Sequence, residues 1–308
     1  MKGIYAAAVT PVDEKGRIHM ERYGRHARWL LRQGCHGIAV FGTTGETQCY
    51  SVGERQDALE AMIGAGLDPS RMILGIGCCA RADTVALGRH ALEHGVTRLL
   101  MLPPFFYKDT ADEGMVRAFA EAIEGIGDDR LALYLYHFPR VSMVPVTKGV
   151  IARLLDRYPD TVKGLKDSSG DWNHTRDLIE TFDGFEVYSG ADDHLLDNLQ
   201  AGGSGTISAA ANLACHASRK VFDLWEKGDV DAARDEMKPV ARVRTIVGER
   251  PLIPAIKEVI ASGLDDGEWR RVRPPLMPLS PEEGEALRDE LDEAGYVYDP
   301  DLYSVAGA

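Results

Sequence analysis

The chain has 308 residues, of which 44% are hydrophobic and 27% are charged, a composition typical of globular proteins with a sizeable core. The formal net charge of -13 at pH 7 disfavours binding to nucleic acids and to anionic membranes, because both carry negative charge. The apolar run at residues 4–9 is too short for a signal peptide or a membrane span. Five cysteines without CxxC spacing are typical of reduced thiols in a cytoplasmic protein.

Short apolar segments alternate with amphipathic segments up to about residue 227. The strands predicted in chain order are 4–9, 37–41, 72–76, 98–102, 131–136, 162–165, 185–188 and 205–208. The predicted helices that follow them are 20–33, 52–66, 82–94, 112–125, 147–157, 171–181, 192–200 and 212–227. Eight strand–helix units predict an α/β protein whose parallel sheet closes into a (β/α)8 TIM barrel.

A doubly wound open sheet is the structural alternative. Such a fold usually has a glycine-rich phosphate-binding turn after its first strand, where this chain has Thr10-Pro11-Val12-Asp13. After the barrel, helices are predicted at 229–247, 251–262 and 281–294, with the proline-rich stretch RPPLMPLSP between the last two. We therefore divide the chain into a barrel, residues 1–227, and a C-terminal helical extension packed on it, residues 228–308.

The segment after the second predicted strand has the composition of an anion-binding turn. In TIM barrels, active sites lie where the strands end. In the sequence GTTGE, glycines flank the pair Thr43 and Thr44, and successive backbone N–H groups, including that of Gly45, can turn toward one carboxylate. The segment lacks the Gly-Lys-Ser/Thr ending of a nucleotide-binding loop. An ordinary glycine turn before the next helix explains the pentapeptide equally well.

A tyrosine ends the fifth predicted strand. Strand alternation places Ala132, Tyr134 and Tyr136 on one face and His137 on the other, away from the barrel interior. A tyrosine at the open end of a barrel can transfer protons, although a single tyrosine is more often a packed aromatic residue. We expect His137 to pack or to anchor a loop.

A lysine follows the sixth predicted strand, directly before a turn. Alternation places Val162, Gly164 and Lys166 on one face, and Gly164 is expected to leave space beneath the amine. Burial favours an uncharged lysine amine, whose lone pair attacks carbonyl groups and forms a Schiff base. For one lysine taken alone, a solvated side chain at a helix entry is the more common finding. Together, however, the three groups suit a 2-keto acid: the turn would bind its carboxylate, the amine would attack its keto carbon and the tyrosine would transfer protons.

Five motifs in this order and spacing resemble the dihydrodipicolinate synthase/N-acetylneuraminate lyase family of class I aldolases: GTTGE, LYHFP, GLKDSSG, SGADD and GGSGTISAAAN. The motifs cover residues 1 to about 225, and the helical extension is similar to that of the family. The resemblance implies Lys166 as the Schiff-base lysine and Tyr136 as the acid/base group. It implies carboxylate binding by Thr43 and Thr44, with Thr44 relaying protons to Tyr136. It also implies a homotetramer or dimer that needs neither metal nor organic cofactor.

Two differences from the family motifs bear on the substrate. The synthase branch has Pro-Tyr-Tyr after the fourth strand, whereas this chain has Pro104-Phe105-Phe106, so that Tyr107 is the nearest hydroxyl. The arginine that holds the aldehyde's carboxylate in that branch comes two residues after a proline, whereas Arg140 follows its proline directly. Both differences favour a lyase or aldolase with another aldehyde over 4-hydroxy-tetrahydrodipicolinate synthase itself.

Further residues suggest a sugar acid as an alternative substrate. Asp192 and Asp193 match the acidic pair that holds sugar hydroxyls in the lyase branch, although carboxylates at a helix start are an equally good interpretation. Thr206 and Ser208 are expected to line the distal pocket. These residues make a 2-keto-3-deoxy sugar acid aldolase or dehydratase an alternative. We interpret Lys257, in the extension, as structural.

The sequence thus predicts a metal-independent carbon–carbon or carbon–oxygen lyase that binds a small 2-keto acid and an aldehyde. A non-catalytic protein that binds keto acids on the same fold is an alternative from a different class. A metal-dependent aldolase is a third, which the spacing of the histidines does not favour.

Overall fold

The computed structural model describes residues 2–299. Its eight strands are β1 (Gly3–Ala7), β2 (Gly37–Val40), β3 (Met72–Gly75), β4 (Arg98–Met101), β5 (Ala132–His137), β6 (Val162–Asp167), β7 (Glu186–Ser189) and β8 (Gly205–Ser208). Each strand pairs in parallel with the next, and β8 pairs with β1, so the sheet closes. The predicted (β/α)8 TIM barrel is confirmed.

Nine helices accompany the barrel strands: α1 (Met20–Arg32), α2 (Val52–Gly64), α3 (Arg81–Glu93), α4 (Asp112–Ile126), α5 (Pro139–Ser142), α6 (Lys148–Arg157), α7 (Trp172–Thr181), α8 (Leu195–Gln200) and α9 (Ala211–Glu226). Three more form the extension: α10 (Val230–Gly248), α11 (Leu252–Gly263) and α12 (Pro281–Glu293). The single-turn α5 was not predicted, and the helix predicted at 192–200 is a 3-10 turn followed by α8. No helix within residues 2–299 combines the length and hydropathy that crossing a membrane requires.

Local hydrogen bonds explain where the helices begin and end. The Ser51 hydroxyl accepts from the N–H of Glu54, whose carboxylate accepts from the N–H of Ser51, so α2 starts with a capping box. Ser280 and Glu283 start α12 in the same way. The glycines that follow the first three helices all adopt positive φ, which favours glycine at the end of a helix: Gly34, Gly66 and Gly95.

Aromatic side chains fill the barrel interior below its C-terminal end. Tyr5 and Tyr134 each contact Tyr188 edge to face, with ring centroids 5.7 and 5.9 Å apart. The Tyr134 hydroxyl donates to the carboxylate of Glu186 over 2.8 Å. Tyr134 and Glu186 lie one layer below the pair Tyr136 and Lys166. The open space of the barrel therefore lies above them, at the C-terminal ends of the strands.

A β-bulge in β6 breaks the strand alternation assumed from the sequence. Leu133 pairs with Val162 but Tyr134 pairs with Gly164, so Lys163 is an extra residue in the strand. Val162 therefore joins Leu133 in the core between sheet and helices, and the prediction that it shares a face with Gly164 is wrong.

The interior beneath Lys166 is filled. A Cβ atom on Gly164 would lie 2.2 Å from the carbonyl oxygen of Glu186 and 2.9 Å from the Tyr134 ring. The expected empty space at Gly164 is absent from this part of the described chain, because the glycine allows close packing of β5, β6 and β7.

The extension is joined to the GTTGE turn by a buried ion pair. The Lys257 ammonium in α11 contacts the Glu46 carboxylate, and both side chains are fully buried. Lys257 also donates to the carbonyl of Arg271 over 2.8 Å, and Glu46 accepts from the N–H of Arg273 over 2.9 Å. Burial lowers the pKa of Lys257, while the charge of Glu46 opposes that shift. These contacts agree with a structural role for Lys257.

Two cysteines form a cross-link that the sequence did not reveal. Cys35, just before β2, is disulfide-bonded to Cys215 in α9, and the two are 180 residues apart in sequence. Cys49, Cys78 and Cys79 are free. The prediction of five reduced thiols is wrong for the bonded pair, whose partners meet only because α9 packs beside the first strands.

Candidate active site

A cavity of about 450 Å³ opens at the C-terminal end of the barrel. Strand ends contribute Thr43, Thr44, Tyr136 and Lys166 to its lining. The loops after β5, β6 and β7 and the helices of the extension contribute the remainder. The cavity therefore joins three of the predicted strand-end groups in one space.

Lys166 is a buried side chain at the cavity. It is 3% exposed, and its Nζ lies 4.4 Å from the centroid of the Tyr136 ring. The two residues face each other because β5 and β6 pair them in register. Within the described chain, the amine makes neither a hydrogen bond nor an ion pair. It is thus accessible to a ligand in the cavity and is not held by a counterion.

The hydroxyl partner of Tyr136 is Thr43. Its Oγ1 lies 3.4 Å from the Tyr136 hydroxyl oxygen. The resemblance implied that Thr44 relays protons to Tyr136, whereas the hydroxyl within hydrogen-bonding distance of Tyr136 in the structure is that of Thr43. Both threonines still line the cavity.

The GTTGE turn leaves two backbone donors unused. The N–H of Gly45 donates to the carbonyl of Gly42 over 3.1 Å, and that of Glu46 to the carbonyl of Thr43 over 3.0 Å. The N–H groups of Thr43 and Thr44 donate to no acceptor in residues 2–299. Adjacent free donors beside a buried amine suit a carboxylate.

Gly45 supports the turn and does not line the cavity. Its carbonyl accepts from the buried Thr10 hydroxyl over 2.9 Å. A Cβ atom at this position would lie 3.1 Å from the carbonyl oxygen of Ala8 and from the N of Phe41. The predicted role of Gly45 as a ligand of the substrate is therefore replaced by a packing role.

The structure separates Arg140 from Tyr107, both predicted to bind substrate. Arg140, in α5, lines the cavity. Tyr107 is 77% exposed, contacts Phe106 edge to face and lies outside the lining. Tyr107 does not supply a hydroxyl to the cavity of its own chain.

The residues predicted for sugar hydroxyls are buried beside the cavity but do not line it: Asp192, Thr206 and Ser208. Burial raises the pKa of Asp192 to about 6, although the Ser208 hydroxyl and the charge of Arg244 act in the opposite direction. Neither carboxyl oxygen of Asp192, nor the Thr206 hydroxyl, makes a hydrogen bond of regular geometry. Asp193 is exposed.

Comparison with known proteins agrees with this geometry. The sequence profile of the dihydrodipicolinate synthetase family matches residues 1–294. The chain belongs to this family. It is 36% identical over 289 residues to an uncharacterised DapA-like lyase of Chloroflexus aurantiacus, covering 93% of this chain and 95% of the relative.

Two further relatives carry the name of the family's synthase. The 4-hydroxy-tetrahydrodipicolinate synthase of Thermodesulfovibrio yellowstonii is 30% identical over 300 residues, covering 96% of this chain and 99% of the relative. The crystal structure of dihydrodipicolinate synthase from Agrobacterium tumefaciens superposes with a TM-score of 0.87 at 29% identity, covering 96% of this chain and 99% of that one.

In this member of the dihydrodipicolinate synthetase family, hydrogen bonds from α7 stabilise the end of the strand pair β5 and β6, which carries Tyr136 and Lys166. The pair after Tyr136 and Lys166 is His137 and Asp167. Asp167 is buried and accepts from His174 Nδ1 over 2.9 Å and from the Thr175 hydroxyl over 2.7 Å. Although burial acts to raise the pKa of Asp167, these hydrogen bonds hold it below its usual value.

His137 anchors the loop after β5, as predicted. Its Nδ1 accepts from the N–H of Val146 over 3.0 Å, and its ring stacks on His174 at 4.6 Å. The hydrogen bond to Asp167 raises the pKa of His174.

The fold brings together two groups of side chains that are capable of binding a metal, which the spacing in the sequence did not indicate. His137, Asp167 and His174 form one group, and a second consists of Glu60, His90 and His94 between α2 and α3. Neither group lines the cavity. The helix periodicity around His90 and His94, four residues apart, was the available signal for the second group.

Sequence reasoning also missed the lining from the extension, notably Arg244 in α10 and Leu252 in α11. Both residues lie inside helices and not at strand ends, where the barrel fold predicts functional groups. No local pattern in the sequence marks them.

Proposed function

We propose that this protein is a class I lyase in which Lys166 forms a Schiff base with pyruvate or another 2-keto acid. The bond made or broken is the carbon–carbon bond to an aldehyde partner. One observation carries the proposal: a buried and unpaired lysine amine shares a cavity with a tyrosine hydroxyl and two free backbone donors. The membership of the dihydrodipicolinate synthetase family supports it.

The keto acid enters with its carboxylate on the N–H groups of Thr43 and Thr44. Nζ of Lys166 attacks the keto carbon, the carbonyl oxygen leaves as water, and a protonated imine remains. The imine withdraws electrons, so that a proton leaves the neighbouring carbon and an enamine forms. The enamine carbon then attacks the aldehyde, and water releases the product from Lys166. Tyr136, in contact with Thr43, passes these protons.

The 4-hydroxy-tetrahydrodipicolinate synthase reaction is the second candidate. The name of the Thermodesulfovibrio yellowstonii relative favours it, as does the position of Arg140 at the cavity. A sugar acid aldolase or dehydratase has less support, because Asp192, Thr206 and Ser208 do not line the cavity.

Borohydride reduction in the presence of pyruvate tests the proposal. Mass spectrometry should detect a covalent pyruvyl adduct on wild type and none on Lys166→Ala. Lys163→Ala is the matched control, since it removes the neighbouring lysine of the same strand, which is not in the lining. Binding of pyruvate without an adduct would instead identify a keto-acid-binding protein, and loss of turnover with EDTA would identify a metal-dependent aldolase.

We also propose that the protein forms a homotetramer or dimer. Large apolar side chains are exposed in the loop after β4 and at α5 with the residue that follows it: Phe106, Tyr107, Val141 and Met143. Lys108 holds the loop against α5 by donating to the carbonyl of Ser142 over 2.8 Å. Sedimentation should give a mass above that of the monomer, and Phe106→Ser with Met143→Ser should lower it.

A further inference from the structure

The lining of the cavity includes an apolar wall and two arginines. The apolar side chains come from the loop after β5 and from the extension: Phe138, Val141, Leu252, Ile253 and Leu276. The arginines are Arg140 in α5 and Arg244 in α10. This combination differs from a site for a polyhydroxylated sugar, which would need several polar side chains.

Arg244 is half-buried at the cavity. It makes no hydrogen bond to residues 2–299 and no ion pair within 4.0 Å. Its guanidinium lies against Gly248, one turn later, where a Cβ atom would lie 2.5 Å from Nη1. Gly248 also lines the cavity, so the glycine provides room for the guanidinium there.

The unpaired state of Arg244 is unusual for its surroundings. The other half-buried arginines in residues 228–299 all form ion pairs, namely Arg250, Arg270, Arg271, Arg273 and Arg288. Carboxylates are abundant in this acidic chain, yet none in the described residues lies within 4.0 Å of the Arg244 guanidinium nitrogens. A half-buried guanidinium that makes no ion pair favours an anionic ligand, whose charged oxygens can accept its hydrogen bonds.

Asp192 does not serve as that counterion. The charge of Arg244 lowers the pKa of Asp192, but no ion pair forms, and the carboxyl is 1% exposed outside the lining. Arg140 is likewise without a hydrogen bond or ion pair in the described residues. Its Nη1 lies 3.5 Å from the Cβ position of Gly170, which adopts φ +78° and also lines the cavity.

We propose that Arg244 binds a carboxylate on the aldehyde partner, and that the apolar wall binds the body of that partner. The inference rests on the proposed function, since it names the substrate class of the same site. The partner is an aldehyde whose carbonyl and acid group are joined by an apolar frame such as an aromatic ring. Arg244 is accordingly a residue that determines specificity.

The experiment compares acid and neutral aldehydes with pyruvate as the donor. Borohydride trapping of pyruvate first establishes that wild type, Arg244→Gln and Arg242→Gln all form the imine. We then measure kcat/KM for 3-carboxybenzaldehyde and for its neutral methyl ester. Wild type should prefer the acid. Arg244→Gln should lower kcat/KM for the acid by about 10- to 100-fold, because a hydrogen bond to a charged group is lost. The ester should change little. Arg242 is an exposed arginine of the same helix outside the lining and is the control.

Calorimetric titration of benzoate separates this inference from the proposed function. Benzoate is added in saturating pyruvate, which occupies the keto-acid end. It should bind wild type at least about 10-fold tighter than Arg244→Gln, whether or not an imine forms. Equal benzoate affinities, equal losses for acid and ester, or preference for glyceraldehyde 3-phosphate over the carboxybenzaldehydes would overturn the inference. Absence of an adduct with wild type would overturn the proposed function instead.

Discussion

Replacing Lys257 by methionine should strongly destabilise the protein. The substitution preserves the approximate length of the side chain but removes the charge that faces Glu46, and both side chains are fully buried. Glu46 keeps the N–H of Arg273 at 2.9 Å, which does not neutralise its charge. Breaking a buried ion pair by removing one partner costs about 3–5 kcal/mol. That is a large share of the ~5–15 kcal/mol by which proteins of this kind are stable.

Urea-induced unfolding followed by circular dichroism measures the loss. The double variant Lys257→Met with Glu46→Gln should recover part of the stability, because no uncompensated charge remains buried. Lys220→Met is the matched control, since it breaks an exposed ion pair to Glu236 that is worth about 0–1 kcal/mol. The reasoning is refuted if Lys257→Met costs no more than this control.

Three further predictions concern the strands of the site and the helix α7 behind them. Tyr136→Phe should reduce turnover by ~10²–10⁴-fold while the pyruvyl adduct still forms, as rapid-quench and mass measurements can establish. Gly164→Ala should destabilise the barrel by about 1–3 kcal/mol in urea unfolding, because the new methyl group overlaps the backbone of β7. The raised pKa of His174 means that folding favours its protonated form. The stability that His174 contributes is therefore complete below its pKa in the unfolded chain, about 6.5, and is lost as pH rises through its pKa in the folded protein. His174→Gln should therefore destabilise more at about pH 5.5 than at about pH 9, while the lowered pKa of Asp167 keeps that carboxylate charged.

Each of these has an outcome that contradicts it. Wild-type turnover by Tyr136→Phe would remove the tyrosine from the proton path. An unchanged unfolding midpoint for Gly164→Ala would mean that β6 and β7 can separate at no cost. A loss for His174→Gln that is larger at high pH would reverse the sign expected from its hydrogen bond.

Features with a regular period could be predicted from the sequence. The alternation of apolar and amphipathic segments gave the barrel, and strand parity placed Tyr136 and His137 on opposite faces, as observed. Parity failed at Val162, because a bulge at Lys163 shifts the register and leaves no mark in the pattern. Cys35 and Cys215 were missed for a related reason, since only the closed fold brings them together.

The candidate site was predictable where strand ends determine it and not elsewhere. Lys166, Tyr136 and the two threonines meet because the carboxyl ends of parallel strands converge. Asp192 follows the lining residue Ala191, but its side chain is buried and lies outside the lining of the cavity. Arg244 depends on how α10 packs against the barrel, which no local spacing encodes.

Because α10 and α11 line the cavity, the residues proposed to form the imine and those proposed to bind the aldehyde lie in different parts of the chain. The groups proposed for bond chemistry are on the strand ends, whereas much of the surface that would meet the second reactant is on a later, contiguous stretch. Grafting that stretch from a homologue, with Lys257 retained to hold Glu46, would therefore exchange the accepted aldehyde and leave imine formation intact. Acceptance of a new second reactant would then need changes in one contiguous stretch of the chain and none at the strand ends.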